Sequence, residues 1–116
     1  METAGRPAYA AAKAALETYS KGLANQVGPD NVRVNLVSPG VIETCAFAAR
    51  LRVLAHRADT DIATARDRFM TTFNIPLGRP GTPDDMAALV TFLVSPAVGY
   101  LTGTSHIIDG GLLPTV

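Results

Sequence analysis

Tyr9 and Lys13 stand at positions i and i+4 of the run Tyr9-Ala10-Ala11-Ala12-Lys13. On a helix that spacing sets both side chains on one face. An ammonium beside a phenol favours the phenolate, because a nearby positive charge stabilises the ionised form. A free tyrosine titrates near pH ~10, so such a neighbour lowers its pKa toward general acid–base work near neutrality. The chemistry is exchange of a proton with a substrate hydroxyl or carbonyl. Alone, the same pattern also fits an ordinary helix with a packed phenol and a solvated lysine.

The surrounding elements decide what the pair belongs to. Pro7 suits the first turn of a helix, where its missing N–H leaves nothing unpaired. Ala8, Ala12, Ala15, Leu16, Tyr19, Leu23 and Val27 recur at three- and four-residue steps and predict one buried face. Tyr19 is expected in the core. Gly28-Pro29 ends that helix. Residues 32–37, Val-Arg-Val-Asn-Leu-Val, are short and rich in β-branched side chains, the pattern of a strand. They stop at Ser38-Pro39-Gly40. Residues 41–74 read as one or two short helices with loops, and their five arginines (Arg50, Arg52, Arg57, Arg66, Arg68) as a solvated face. Thr82-Pro83-Asp84-Asp85 opens a further helix, with Thr82 as N-cap and acids at the positive end of the dipole. Met86, Leu89, Val90 and Leu93 form its buried stripe, and Ser95-Pro96 closes it. Ser105-His106-Ile107-Ile108 reads as a second strand, left through Asp109-Gly110-Gly111. The long crossover between the two strands requires them to be parallel.

Composition excludes several functions. The chain has 116 residues, room for one modest domain. It is 47% hydrophobic and 17% charged, which suits a buried core rather than a disordered tail. Ten basic residues balance ten acidic ones, so nothing points to a nucleic-acid partner. No apolar stretch is long enough for a bilayer, and no signal sequence follows Met1, so neither a membrane nor secretion is expected. A single cysteine, Cys45, gives no internal disulfide and no metal cluster; a reducing, cytoplasmic location is the expectation. His56 reads as a surface side chain and His106 as a packed or edge residue. Neither has a second ligand at metal spacing, so no metal site is expected.

In chain order, Tyr9-Ala10-Ala11-Ala12-Lys13, Val32-Arg33-Val34-Asn35, Ser38-Pro39-Gly40, Thr44, Pro76-Leu77-Gly78-Arg79, Thr82-Pro83-Asp84-Asp85-Met86-Ala87, Tyr100-Leu101-Thr102-Gly103 and Asp109-Gly110-Gly111 resemble the C-terminal half of a classical short-chain dehydrogenase/reductase. The branch is the one that includes 3-oxoacyl-carrier-protein reductases, and the resemblance covers residues 5–111. It implies an α/β fold: an incomplete, C-terminal portion of a Rossmann-type doubly wound parallel sheet, with two parallel strands and flanking helices. Residues 1–116 would form a single partial domain, with residues 45–75 as the substrate lid. Tyr9 would be the proton donor or acceptor and one of the cofactor-binding residues. Lys13 would lower its pKa and bind the nicotinamide ribose of NAD or NADP. Pro39-Gly40 matches the turn beneath the nicotinamide, at the C-terminal end of a parallel strand where open α/β sheets place ligands; Gly40 would let the backbone approach a ring. The backbone at Ile42 and the hydroxyl of Thr44 would hold the carboxamide. The residues alone leave simpler readings open: a turn at Pro39-Gly40, a helix cap at Thr44, and a tight strand exit at Asp109-Gly110-Gly111. In the lid, Phe47, Leu51, Leu54, Phe69 and Phe73 suggest an apolar pocket. The implied reaction is hydride transfer between NAD(P)(H) and a small-molecule carbonyl or secondary alcohol, in a homo-oligomer, either a dimer or a tetramer.

The chain also departs from that pattern. A complete relative begins with a strand and a glycine-rich turn whose N–H groups meet the cofactor pyrophosphate. The glycines Gly78 and Gly81 follow no strand. The family's catalytic serine and its supporting asparagine would fall before Met1, and Asn25, Asn35 and Ser38 sit in the wrong places to replace them. Two strands alone also leave an open apolar sheet edge. A truncated oxidoreductase that is inactive by itself is therefore expected; the alternative is a noncatalytic remnant or oligomerisation module.

Overall fold

Alanine, the best helix former, dominates the first helix, α1 (Pro7–Val27), whose first residue needs no N–H. Gly28 and Pro29 end it in a short 3-10 turn, Gly28–Asp30, closed by Asn31 in the left-handed conformation (φ 59°). There follow β1 (Leu36–Pro39), α2 (Cys45–Arg57), α3 (Ile62–Phe73), α4 (Pro83–Val94) and β2 (Ser105–Ile108). The computed structural model describes residues 7–114; Gly5 and Arg6, where the resemblance begins, lie outside the described residues. The two strands form a parallel sheet within a helix-rich chain, the partial Rossmann-type arrangement expected. No helix among the described residues is long and apolar enough to cross a membrane. The chain divides into two compact units, Met1–Val37 with Thr91–His106, and Ser38–Val90 with Ile107–Val116.

In the first unit the strand starts later than its β-branched pattern predicts. Residues 32–35 lie outside β1. Their polar groups turn to the chain near residue 102 instead. Gly103 N–H reaches the Val34 carbonyl at 2.7 Å, while Val34 N–H is taken by the Thr102 hydroxyl at 3.0 Å rather than by main chain. Regular pairing begins with Leu36 N–H on the Thr104 carbonyl, 2.9 Å. Arg33 donates to the Leu101 and Ser95 carbonyls and the Asn35 amide to Leu101, so polar side chains bind this loop.

The predicted buried face of α1 is not buried. Ala8, Ala12, Ala15, Leu16 and Tyr19 are exposed, Leu23 and Val27 are half-buried, and Ala24 alone in the helix is buried. Tyr19, expected in the core, is 66% exposed. The helix meets the rest of this unit near its C-terminal half, where the Lys21 ammonium donates to the Gly103 carbonyl at 3.0 Å.

The second unit holds the larger apolar cluster. Phe47 and Leu51 of α2 pack with Phe69 of α3, and Val41, Leu54, Met70 and Phe73 close around them. Phe69 meets Phe47 edge-on at 5.3 Å between centroids and stacks on Phe73 at 4.3 Å. Both helices start on a side-chain cap: Thr44 Oγ1 accepts Phe47 N–H at 3.2 Å, and Asp61 accepts Thr64 N–H at 2.6 Å. The arginines of this stretch are not one solvated face. Arg50 lies over the Phe69 ring and Arg66 over Phe47, 5.3 and 5.9 Å from the centroids, and Arg66 pairs with Glu43. Arg52, Arg57 and Arg68 are exposed as expected. After β2, Gly110 and Gly111 take positive φ (67° and 85°), while the Asp109 carboxylate accepts the N–H groups of Gly111 and Leu113.

In α4 the predicted stripe is part right: Leu93 is buried and Met86 and Leu89 are half-buried, but Val90 is 44% exposed.

Candidate active site

Tyr9 and Lys13 fall within the first two turns of α1, and the alanines between them leave that surface unobstructed. The Lys13 ammonium lies over the Tyr9 ring, 5.4 Å from its centroid, as the i, i+4 spacing requires. Such a cation–π contact holds the flexible lysine stem against the phenol. Tyr9 is 51% exposed, so its ring is open to a ligand rather than committed to a core.

Pro39, Gly40, Ile42 and Thr44 belong to the second unit. Pro39 is the last residue of β1, and Gly40 N–H continues the pairing by donating to the Ile108 carbonyl at 2.9 Å. The space a side chain would need at Gly40 is filled from within this unit. A Cβ there would stand 2.6 Å from Asp109 Cβ and 2.8 Å from its Cα. Close approach of the strand exit, not only of a ring, thus requires glycine. Since main chain cannot yield as a side-chain tip can, Gly40→Ala is expected to cost about 1–3 kcal/mol, measured as a lowered urea midpoint. An unchanged midpoint would show that the turn has room to spare.

Ile42 makes an isolated parallel bridge with Gly81: Gly81 N–H donates to the Val41 carbonyl (2.9 Å), and Glu43 N–H to the Gly81 carbonyl (2.8 Å). In that pattern the N–H and C=O of Ile42 itself point away from Gly81. One residue thus presents a donor and an acceptor side by side, the complement of a primary carboxamide. Thr44 is exposed, and its oxygen already accepts Phe47 N–H as the α2 cap, so its hydroxyl proton is left to donate. The cap reading and the ligand reading of Thr44 are therefore compatible.

Residues 79–85 hold more than the helix start expected at Thr82-Pro83-Asp84-Asp85. Thr82 and Asp85 form a reciprocal capping box: Asp85 N–H donates to Thr82 Oγ1 at 3.1 Å, and Thr82 N–H to Asp85 Oδ2 at 2.8 Å. Arg79 adds a two-pronged contact to the same carboxylate, at 2.7 and 3.3 Å, and donates to the Pro80 carbonyl at 2.9 Å. The guanidinium, followed by the Thr82 bonds, holds the Asp85 carboxyl well below the usual carboxylate range. The pair therefore keeps both charges through neutral and mildly acid pH. The signal in the sequence was an arginine six residues before an acid, across a Pro-Gly turn.

Outside these positions, His106 Nε2 stands 2.7 Å from Thr104 Oγ1, whose proton goes to Asn35 Oδ1 at 2.9 Å. That order leaves Nε2 as the donor and makes the imidazole part of a strand-end network. His56 and Cys45 are exposed.

The sequence matches a family whose model is described as enoyl-(acyl carrier protein) reductase, over residues 1–113. It is 40% identical over 109 residues to an uncharacterized oxidoreductase of Schizosaccharomyces pombe, covering 94% of this chain and 38% of that protein. To the 3-oxoacyl-acyl-carrier-protein reductase of Chlamydia pneumoniae it is 37% identical over 110 residues, covering 95% and 39%. In structure it is similar to L-sorbose reductase from Gluconobacter frateurii, crystallised with NADPH and L-sorbose. The TM-score is 0.87 at 33% identity, covering 95% of this chain and 41% of that one. The chain thus spans about two-fifths of the length of the curated relatives it matches.

Proposed function

The chain belongs to the short-chain dehydrogenase/reductase family, and on that footing we propose that it carries the proton-transfer and nicotinamide-side part of an NAD(P)-dependent oxidoreductase. The observation that supports this most is the exposed Tyr9 ring with the Lys13 ammonium held over it. When bound, NAD(P)H supplies the hydride. Tyr9 donates its phenolic proton to the carbonyl oxygen as the carbon is reduced to a secondary alcohol, and takes the proton back from the hydroxyl in the reverse direction. The Lys13 ammonium stabilises the phenolate left behind and reaches toward the ribose hydroxyls.

The nicotinamide carboxamide would be held by the Ile42 N–H and C=O with the Thr44 hydroxyl, above the turn at Pro39-Gly40. Residues 45–75 serve as the substrate lid, and their aromatic cluster favours an apolar carbonyl or alcohol. The family's glycine-rich turn and catalytic serine have no counterpart within these 116 residues, so the stretch is inactive by itself. Self-association belongs to the same reading: Leu16 and Tyr19 of α1, and Phe92 and Val94 of α4, expose apolar surface.

The test is carbonyl reduction by the protein at its native length, followed by nicotinamide fluorescence, beside the 116-residue stretch alone. Turnover by the first and none by the second is expected. Failure of the native-length protein to oxidise either NADH or NADPH across a panel of aldehydes and ketones overturns the proposal. Turnover by the short stretch overturns the claim that it is inactive alone.

A further inference from the structure

We infer that Asp85 is a positioning residue for the carboxamide end of the cofactor, acting through Arg79 and Gly81 on the main chain of Ile42. The inference rests on the reading that Ile42 and Thr44 receive that carboxamide.

A helix start needs only the Thr82–Asp85 box, and a neutral acceptor in place of the acid would complete it. The Arg79 fork goes further. Arg79 grips both Asp85 oxygens and reaches back to the Pro80 carbonyl, while Asp85 Oδ2 also takes the Thr82 N–H. The segment 79–82 is thereby tied on each side of Gly81. The Arg79 and Asp85 side chains are 55% and 35% exposed, and pairs so open to water contribute only about 0–1 kcal/mol to stability. Its bidentate geometry matters more than its energy.

What that geometry fixes is Gly81. Its N–H and carbonyl are spent on Val41 and Glu43, the two neighbours of Ile42. A Cβ on Gly81 would lie 2.7 Å from Ile42 Cδ1, so the two segments are already in contact. Any shift of Gly81 passes directly into the peptide groups on either side of Ile42. The clamp sets the direction in which the Ile42 N–H and C=O point.

Two variants of the native-length protein test this. Asp85→Asn keeps an oxygen for Thr82 N–H but loses the charge that orients Arg79, and Arg79→Lys loses the fork. Both are expected to speed amide hydrogen exchange at Gly81 and Glu43 about tenfold, leaving the capped Phe47 and Thr64 amides unchanged. In the same variants the KM for NAD(P)H should rise several-fold with kcat unchanged. The KM for the 3-acetylpyridine analogue, whose methyl ketone keeps the carbonyl for Ile42 N–H but lacks the NH2 for Ile42 C=O, should rise less. A purely structural role would move both cofactors alike, and that result overturns the inference. Unchanged exchange at Gly81 and Glu43 also overturns it, whatever the cofactors do. A wild-type protein that binds neither cofactor overturns the functional reading along with the inference, and the exchange data distinguish that case from failure of the clamp.

Discussion

Tyr9→Phe is expected to lower kcat of the native-length protein by about 10²–10⁴-fold, the usual contribution of a positioned proton donor, with a smaller loss of cofactor affinity. The substitution removes one oxygen and keeps the ring, so the Lys13 ammonium retains the face it lies over. Tyr9 is half exposed, and surface changes of this kind stay within about 0.5 kcal/mol of stability. Lost turnover therefore cannot be assigned to lost folding. Tyr19 provides the control on the same helix. It is as open to solvent as Tyr9, yet four residues on from it stands Leu23 rather than a lysine. Tyr19→Phe should leave both kcat and KM unchanged. Equal rates for wild type and Tyr9→Phe would remove the phenol from the chemistry and the proposed mechanism with it.

Element ends were legible where a residue has one physical use. Pro7 and Gly28-Pro29 mark the two ends of α1, and Thr82-Pro83 with its acids marks the start of α4. Ser105–Ile108 is a strand as predicted. Patterns that depend on a partner are less legible. The apolar stripe of α1 says that a face suits burial, not what covers it; in this structure only Ala24 of the helix is buried. Likewise residues 32–35 have strand chemistry, but the Thr102 hydroxyl takes the Val34 N–H and delays regular pairing to Leu36. A long-range hydrogen bond to one side chain leaves no periodic trace in the sequence.

The site divides along the same line. Spacing on one helix is enough to pair Tyr9 with Lys13, because helical geometry is local. The bridge between Ile42 and Gly81 is not local: thirty-nine positions separate them, and only the folded chain shows which groups of Ile42 are left free. The glycine at position 40 suits a turn or the approach of a ring, and only the folded chain shows that Asp109 also packs against it. Arg50 and Arg66 suit a solvated face by residue type, yet their planar guanidinium groups lie on aromatic rings as packing.

Phe69→Ala is expected to cost about 3–5 kcal/mol, the largest stability loss of any single change proposed for this chain. Phe69 is 6% exposed and sits between Phe47 and Phe73 with the Arg50 guanidinium over its ring, so three groups lose a partner at once. A small unit holds about 5–15 kcal/mol in total, and the loss is a large fraction of that. Val53, 49% exposed on α2, is the comparison: Val53→Ala should stay within about 0.5 kcal/mol. Urea unfolding measures both, with a lowered midpoint and an unchanged slope expected for Phe69→Ala. Because Phe69 joins α3 to α2 within the proposed lid, its loss should also raise KM for an apolar substrate more than KM for the cofactor. A change below about 1 kcal/mol at Phe69, within the spread of ordinary substitutions, would mean that the aromatic cluster does not hold the two helices together. The lid would then need another source of order before it could select a substrate.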